Sequence, residues 1–449
     1  MIEFINKYLF GTAVPVLLIL AGIFYTVRLK AFHLLKPMTV IRSLTKKNED
    51  SGISPFRAVT LALAGTLGVG NIVGVAAAIG LGGFGAIFWM WISALCAMLL
   101  KYAEIVLAMR HRRYDSGGAP HGSAMYYIKD MFDSLSLPRF GKIIASVFAL
   151  LCIVNAISMG SMIQSNAISE SLGGVFEVPP LVSGIVLALL GGIIVSRGTE
   201  GMAKFTEILV PLMTLGYIVI SLAVLIIRRD MLFGALCAIV TDAFSPEATA
   251  GGAAGFILSR SLRYGTMRGL ISNEAGCGTA PMAHSTADTE SPFNQGILGA
   301  VEVFIDTVLL CTLTALSIGI VFPAEALAHF SGSEAALVNS AFCAVLGNGA
   351  GVALSVALFF FAFATVICWG FYGTESLGYI TKNKAIHSTF KTCYLICTFV
   401  GGLNVGSFVW QISDLALGTM AIINLWVLFL MRKEIKAEAD PKSKTKRFS

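Results

Sequence analysis

The sequence predicts an all-α polytopic membrane protein with about eleven transmembrane helices, a reading that counts apolar stretches long enough to cross a bilayer. Ten of them form two five-helix repeats of opposite orientation, behind one extra N-terminal helix. Three observations predict this. Of 449 residues 56% are hydrophobic and only 13% charged, with a mean hydropathy of +0.79, whereas a soluble domain carries about 25% charged residues. Two long apolar segments, LALAGTLGVGNIVGVAAAIGLGG at 61–83 and GLISNEAGCGTAPMAHSTA at 269–287, are interrupted by glycine and polar residues. Lysine and arginine fall in linkers that alternate along the chain in the sense of the positive-inside rule.

The elements follow in order. Residues 1–8 lack the basic cluster of a cleavable leader, and a first span is expected at 8–27. The basic linker 28–57 is amphipathic and reads as lying on the membrane surface, with Phe32, Leu34, Leu35, Val40 and Ile41 dipping in. A broken span at 59–80 and a span at 85–110 precede a polar loop, 111–142. Spans at 143–172, 181–196 and 205–227 complete the first repeat. The stretch 230–244 is short and mixed, and reads as a re-entrant or surface helix. A second broken span, 253–287, opens the second repeat, followed by spans at 296–321, 351–380, 389–406 and 409–431. The lysine-rich tail, 432–449, is expected to be disordered. The chain thus divides into an N-terminal helix with its cytoplasmic linker (1–57), a first repeat (58–229), a surface helix with the second repeat (230–431) and a basic cytoplasmic tail (432–449).

Most basic residues lie in 28–57, 110–142, 197–204, 382–391 and the tail. They share one side if the N-terminus is outside and the C-terminus cytoplasmic in the cell membrane. Arg228, Arg229, Arg260, Arg263 and Arg268 run against this pattern, while loop 322–349, without lysine or arginine, fits outside. The net charge of +6 therefore has a membrane explanation and is no sign of nucleic acid. The nine cysteines are scattered through apolar segments without a CxxC pair and read as buried thiols.

In the first interrupted segment Gly65, Gly68, Gly70 and Gly74 surround Thr66 and Asn71. Each glycine disfavours helix by about 1 kcal/mol relative to alanine, so the helix is expected to open over 65–70. Gly70 and Gly74 also form GxxxG, which suits close helix packing; the glycines alone fit both readings. The second segment is interrupted at Asn273, Glu274, Gly276, Gly278 and Pro281. Two broken helices at matching places in two halves point to a secondary-transporter site. Amides of Val69 and Gly70 suit a carboxylate, with the Thr66 hydroxyl adding a donor. Carbonyls freed at 65–67 and 272–276 suit an ammonium or a hard cation.

The residues GTLGVGNIVGVAAAI (65–79) and GLISNEAGCGTAPMAHSTADT (269–289) resemble the alanine/glycine:cation symporter family, with support from KYAEIVLAMRHR (101–112), GGAAGF (251–256) and TVICWGFYGTES (365–376). The resemblance covers nearly the whole chain. It implies a LeuT-like fold with one extra N-terminal helix and sodium-driven uptake of alanine, glycine or a close analogue. The GxGN at Gly68–Asn71 is similar to that of the neurotransmitter:sodium symporters. The substrate contacts implied are Thr66, Gly68, Val69, Gly70, Gln164, Asn273, Gly276 and Trp369. Sodium is expected among Ala64, Leu67 and Thr365, with Asn71 a further candidate. An outer gate is expected from Arg268 and Asp414, since LeuT-like carriers commonly close the outer vestibule with an arginine–carboxylate pair.

Plainer roles compete at several of these positions. Gln164 also suits an interhelical hydrogen bond, and Asn166 lies on a different helix face. Thr365 could back-bond within its own helix, and Trp369 could belong to an interfacial belt. Among the intramembrane carboxylates Glu104, Glu207, Glu274, Glu302, Asp306 and Asp414, the i, i+4 pair Glu302 and Asp306 suits either an ion relay or pairing with a buried arginine. Glu274 suits function or helix capping, and His284 a structural or gating role. HExxH and GxSxG are absent, so an enzyme is not expected; no GxxxxGK[ST] suggests an ATP-driven pump. A channel would be told from a carrier by counterflow. The expected partners are a small amino acid, sodium as coupling ion and the lipid bilayer, with no cofactor and no nucleic acid. Proton coupling on the same fold is the alternative.

Overall fold

The structure is a computed structural model that describes residues 6–32, 53–244, 260–289, 291–323, 326–327, 330 and 332–439. The extra helix begins with a wide π turn, Asn6–Ala13, and continues as α1 (Val14–Arg28), which buries Val14, Leu18, Gly22 and Tyr25 on one face. Most of the linker read as surface-bound lies outside the described residues.

In the first repeat α2 (Pro55–Thr66) starts at Ser54, whose hydroxyl accepts the Arg57 N–H, with Pro55 in the first turn. It ends at Thr66. A 3₁₀ turn, Val69–Asn71, leads into α3 (Val73–Gly82), so the helix opens where the glycines predict. Next come α4 (Gly85–Arg110), a small hairpin of β1 (Arg113–Tyr114) and β2 (Pro120–His121), and α5 (Ala124–Ser134). Then α6 (Pro138–Asn155) runs through a π turn, Ala156–Ile163, into α7 (Gln164–Phe176), followed by α8 (Pro180–Val195) and α9 (Gly198–Ile227). The short mixed stretch is α10 (Arg229–Ala243).

The second repeat opens with α11 (Arg260–Asn273), an irregular segment and the single-turn α12 (Pro281–His284). Then α13 (Pro292–Val303) passes through a π turn, Phe304–Cys311, into α14 (Thr312–Gly319). There follow α15 (Glu334–Leu346), α16 (Gly349–Ile380), α17 (Lys384–Leu403), α18 (Ser407–Leu430) and α19 (Arg432–Ala439). Among the described residues six continuous helices, Gly85–Arg110, Pro138–Phe176, Gly198–Ile227, Pro292–Gly319, Gly349–Ile380 and Ser407–Leu430, are long and apolar enough to cross a membrane. The reading of eleven counts α1, α8, α17 and each broken pair as further crossings. On α9 the exposed stripe Leu212, Leu215, Val219, Leu222 and Ile226 is wholly apolar, a face made for acyl chains rather than water.

Three expectations are corrected. Residues 111–142 are no plain loop: they hold the hairpin, α5 and the start of α6, because Ser123 and Pro138 each start a helix. The tail is helical through Ala439, its Ile435 being fully buried. After the second break the chain regains only one helical turn, α12, instead of a half-helix. The repeats meet along α4, which packs against α11 and α13 of the second repeat and against α1, while α16 packs against α2, α6, α7 and α9.

Candidate functional site

The first break faces a cavity of about 390 Å³, within the usual 300–1,000 Å³ of a small-molecule site. Its floor is made by Thr66, Gly68, Val69 and Gly70 of the break, Gln164 of α7 and Thr365 of α16. Toward the surface it passes Arg268 and Asp414 and is bordered by Glu334, which is exposed, and Trp410, which is 42% exposed. The cavity therefore opens at the end of the bundle that carries α15.

The floor is assembled by close approach. The Thr365 hydroxyl lies 3.3 Å from the Leu67 carbonyl and 3.2 Å from that of Phe361. Leu67 O is free because α2 has ended. Gln164 Oε1 accepts from the Val69 N–H at 3.3 Å, and its Nε2 donates to Met159 O at 3.2 Å. Gly68 is wedged between these side chains: a Cβ there would come 2.7 Å from Thr365 Oγ1 and 3.1 Å from Gln164 Oε1. Asn71 holds the break from behind. Its Oδ1 accepts the Gly68 N–H at 3.1 Å, and its Nδ2 donates to Asp306 Oδ1 at 2.7 Å and to Ser272 Oγ at 3.2 Å.

Beneath the floor a buried polar cluster joins the two breaks. Asp306 accepts from Asn71, Ser272 and Thr307. Glu302 accepts from the Thr66 hydroxyl at 3.4 Å, lies 2.8 Å from His284 Nε2 and pairs with the fully buried Lys101 at 3.3 Å. Its partner is thus a lysine, where an arginine or an ion relay was expected. His284 is held on its other side by Gln295, a structural setting. At the second break Glu274 (φ +52°), Gly276 (φ +89°) and Gly278 (φ +74°) turn the chain through left-handed conformations. Glu274 accepts from Thr279, and Glu104 accepts from Gly278 N–H and Asn424. Glu207 pairs with Arg57 at the surface.

The structure thus brings Thr66, Gly68, Val69, Gly70, Gln164 and Thr365 together around one cavity, with the buried Leu67 carbonyl beside the Thr365 hydroxyl. Ala64 is buried one turn before Leu67 on α2. Asn273, Gly276 and Trp369 stand apart from the cavity. The freed carbonyls at the second break are largely occupied by protein: Lys101 Nζ donates to Asn273 O at 2.7 Å and Asn424 Nδ2 to Gly276 O at 2.9 Å. Gly276 packs against Leu18 of the extra helix instead of substrate. Trp369 lies a layer below, fully buried against Gly160, where a Cβ would fall 2.1 Å from the Trp369 Cβ. A ring in that place neither lines the cavity nor sits in an interfacial belt. Asn166 lines the cavity but bonds to Glu170 on its own helix at 2.7 Å. Among the described residues no ion pair joins Arg268 to Asp414, although both border the cavity. Lys101 and Asn424 escaped the residue reading; a lone lysine in the apolar run ALCAMLLKYAEIVLA was the available signal.

The model of the sodium:alanine symporter family matches residues 1–447. The "Sodium/alanine symporter AgcS" of Methanococcus maripaludis is 34% identical over 446 residues, covering 98% of this chain and 96% of that protein. A "Putative sodium/proton-dependent alanine carrier protein YrbD" of Bacillus subtilis is 32% identical over 447 residues, covering 96% and 89%. Among solved structures, that of MhsT in complex with L-phenylalanine superposes with a TM-score of 0.54 at 16% identity, over 86% of this chain and 90% of that one; it shares the LeuT-like fold. Whole-chain similarity of this kind, together with two broken helices meeting beside one cavity, places the protein among transporters rather than enzymes: the chain belongs to the sodium:alanine symporter family.

Proposed function

We propose that the protein imports a small neutral amino acid, alanine or glycine, together with sodium by alternating access. The carrying observation is the convergence of the Thr365 hydroxyl, Gln164 and the Val69 amide on one cavity floor, with Leu67 O beside Thr365. Two neutral oxygens beside a broken helix suit a weakly held hard cation. The substrate carboxylate is taken by the amides of Val69 and Gly70 and the Thr66 hydroxyl, with Gln164 released from Val69 to meet the ligand. Asn71 acts by shaping the break, since its side chain is committed to Gly68, Ser272 and Asp306. The open end is outside, with the N-terminus outside and the C-terminus cytoplasmic in the cell membrane. Arg268 and Asp414 flank the mouth and close over bound substrate.

The experiment is uptake of labelled alanine into proteoliposomes under an inward sodium gradient, against an equal proton gradient without sodium. Sodium-dependent accumulation, competed by glycine and weakly by leucine, is expected. A proton-driven reading has its own support: among the described residues Glu104 Oε2 and Glu274 Oε1 are buried without a hydrogen-bond partner, and the name of YrbD includes protons. Accumulation driven by protons alone would favour that reading.

A further inference from the structure

The second break holds a positive charge that sodium coupling at the first break does not use. Lys101, in the middle of α4, is fully buried, with its ammonium 2.7 Å from Asn273 O and 3.3 Å from Glu302 Oε1. Asn273 is the last residue of α11. Beyond it the chain turns at Glu274, and the Cys277 N–H, which a continuing helix would give to Asn273 O, bonds to Glu274 O instead. Lys101 therefore serves a carbonyl that the break has freed. At the first break the corresponding freed carbonyl, Leu67 O, meets only the hydroxyl of Thr365.

Stability does not explain this lysine. Burying two charges costs several kcal/mol per ion, and apolar replacement of a buried pair is often neutral or stabilising. Its surroundings do call for a cation: Glu104 faces it from its own helix, Glu274 from the break and Glu302 from α13, with His284 of α12 on the far side of Glu302. One carboxylate thus joins the ammonium to the imidazole, and two more add negative charge near the ammonium. Glu302 also receives the Thr66 hydroxyl, so the Lys101–Glu302 pair spans from one break to the other.

We propose that Lys101 is a tethered cation, a positioning residue whose ammonium stands at the second break in place of a second free alkali ion. One sodium then accompanies each amino acid. The inference rests on the sodium-coupled reading and extends it to stoichiometry.

The test uses the full-length protein in proteoliposomes. Reversal potentials under set sodium and alanine gradients are expected to give one sodium per alanine for the wild type. A ratio of two overturns the proposal and leaves sodium coupling intact; transport indifferent to sodium overturns both. In Lys101→Gln the sodium Hill coefficient is expected to rise from about 1 toward about 2, because the number of ion sites bounds that coefficient. Transport by this variant with an unchanged coefficient contradicts the proposal, since a merely structural lysine would change amount or rate only. Where Lys101→Gln does not transport, Lys101→Ala, which leaves room for an ion beside Glu302, decides. Transport with a coefficient that rises toward about 2 supports the tethered cation, and an unchanged coefficient, or failure despite normal membrane insertion, overturns it.

Discussion

The Thr365 hydroxyl has one proton and two carbonyls within reach, Leu67 O at 3.3 Å and Phe361 O at 3.2 Å. By donating to Phe361 it leaves its lone pairs and Leu67 O facing the cavity floor for a cation. Thr365→Ala is expected to raise the sodium concentration for half-maximal uptake about tenfold, or ~1.4 kcal/mol, while Thr365→Ser stays close to wild type. Sodium titrations of labelled-alanine uptake check this, and an unchanged half-saturation in Thr365→Ala removes Thr365 from the ion site. Trp369 leads to a different expectation from the substrate contact that the family resemblance implies. Buried against Gly160 and edge-on to Tyr372, it supports the helix crossing of α16 with the π turn at 156–163. Trp369→Leu is therefore expected to lower stability by ~2 kcal/mol through lost packing and to leave the range of competing amino acids unchanged. A thermal-shift measurement with a competition panel separates this from a wall role, in which valine or leucine would begin to compete. What was legible at these positions follows from locality. The glycines that open the first break act within their own segment, so Gly68, Val69 and the freed Leu67 carbonyl could be read directly. The partners of Asn273 and Gly276 could not, because Lys101 and Asn424 arrive from helices remote in sequence and occupy carbonyls that looked available.

The helices flanking the mouth explain the arginines that defy the charge rule. Arg260 Nε donates to Leu81 O at 2.9 Å and Ser261 to Gly82 O at 2.7 Å, so the start of α11 covers the unsatisfied carbonyl end of α3. A cation is useful there whichever side it faces. Arg268 is different: its Nε is buried with no hydrogen-bond partner among the described residues, and Asp414 borders the same cavity. Arg268→Asp and Asp414→Arg are each expected to cut uptake about tenfold, with partial recovery in the double swap, as a coupling of ~1 kcal/mol between moving charges allows. No recovery with normal expression counts against the gate. The two repeats also carry matching additions that the hydropathy pattern concealed. A short helix follows the second member of each, the amphipathic α5 after α4 and the more apolar α15 after α14. Serine starts both, but polar residues among apolar ones read as loop in a scan tuned to membrane spans. Ser333 of α15 caps its helix by accepting the Ala336 N–H.

Across the whole molecule, the end opposite the cavity mouth is held by charge. Arg110 and His111, at the end of α4, reach Glu434 and Glu438 of α19 and Asp130 of α5. Arg112 donates to Ala287 O and Thr289 O beyond the second broken helix, and His121 of the hairpin meets Glu375 at 2.8 Å. At His111 burial opposes the charged imidazole, but its hydrogen bonds to the Glu434 and Asp130 carboxylates outweigh it and raise its pKa above 6.5; at His121 the hydrogen bond to Glu375 does the same. Groups with raised pKa stabilise the fold fully below about 6.5 and lose that contribution as pH rises through the folded value. Docking of α19 is therefore expected to loosen as pH rises above about 6.5, since the shift at His111, which meets Glu434, is upward. Limited proteolysis after Leu430 should accelerate over that rise, and His111→Gln should flatten the profile. The most direct measurement concerns the coupling itself. Vesicles with equal sodium on both sides and an inward alanine gradient are assayed for labelled sodium entry. Alanine-driven sodium entry, lost in Thr365→Ala and kept in Thr365→Ser, is the expected result. Alanine entry that carries no sodium would contradict it.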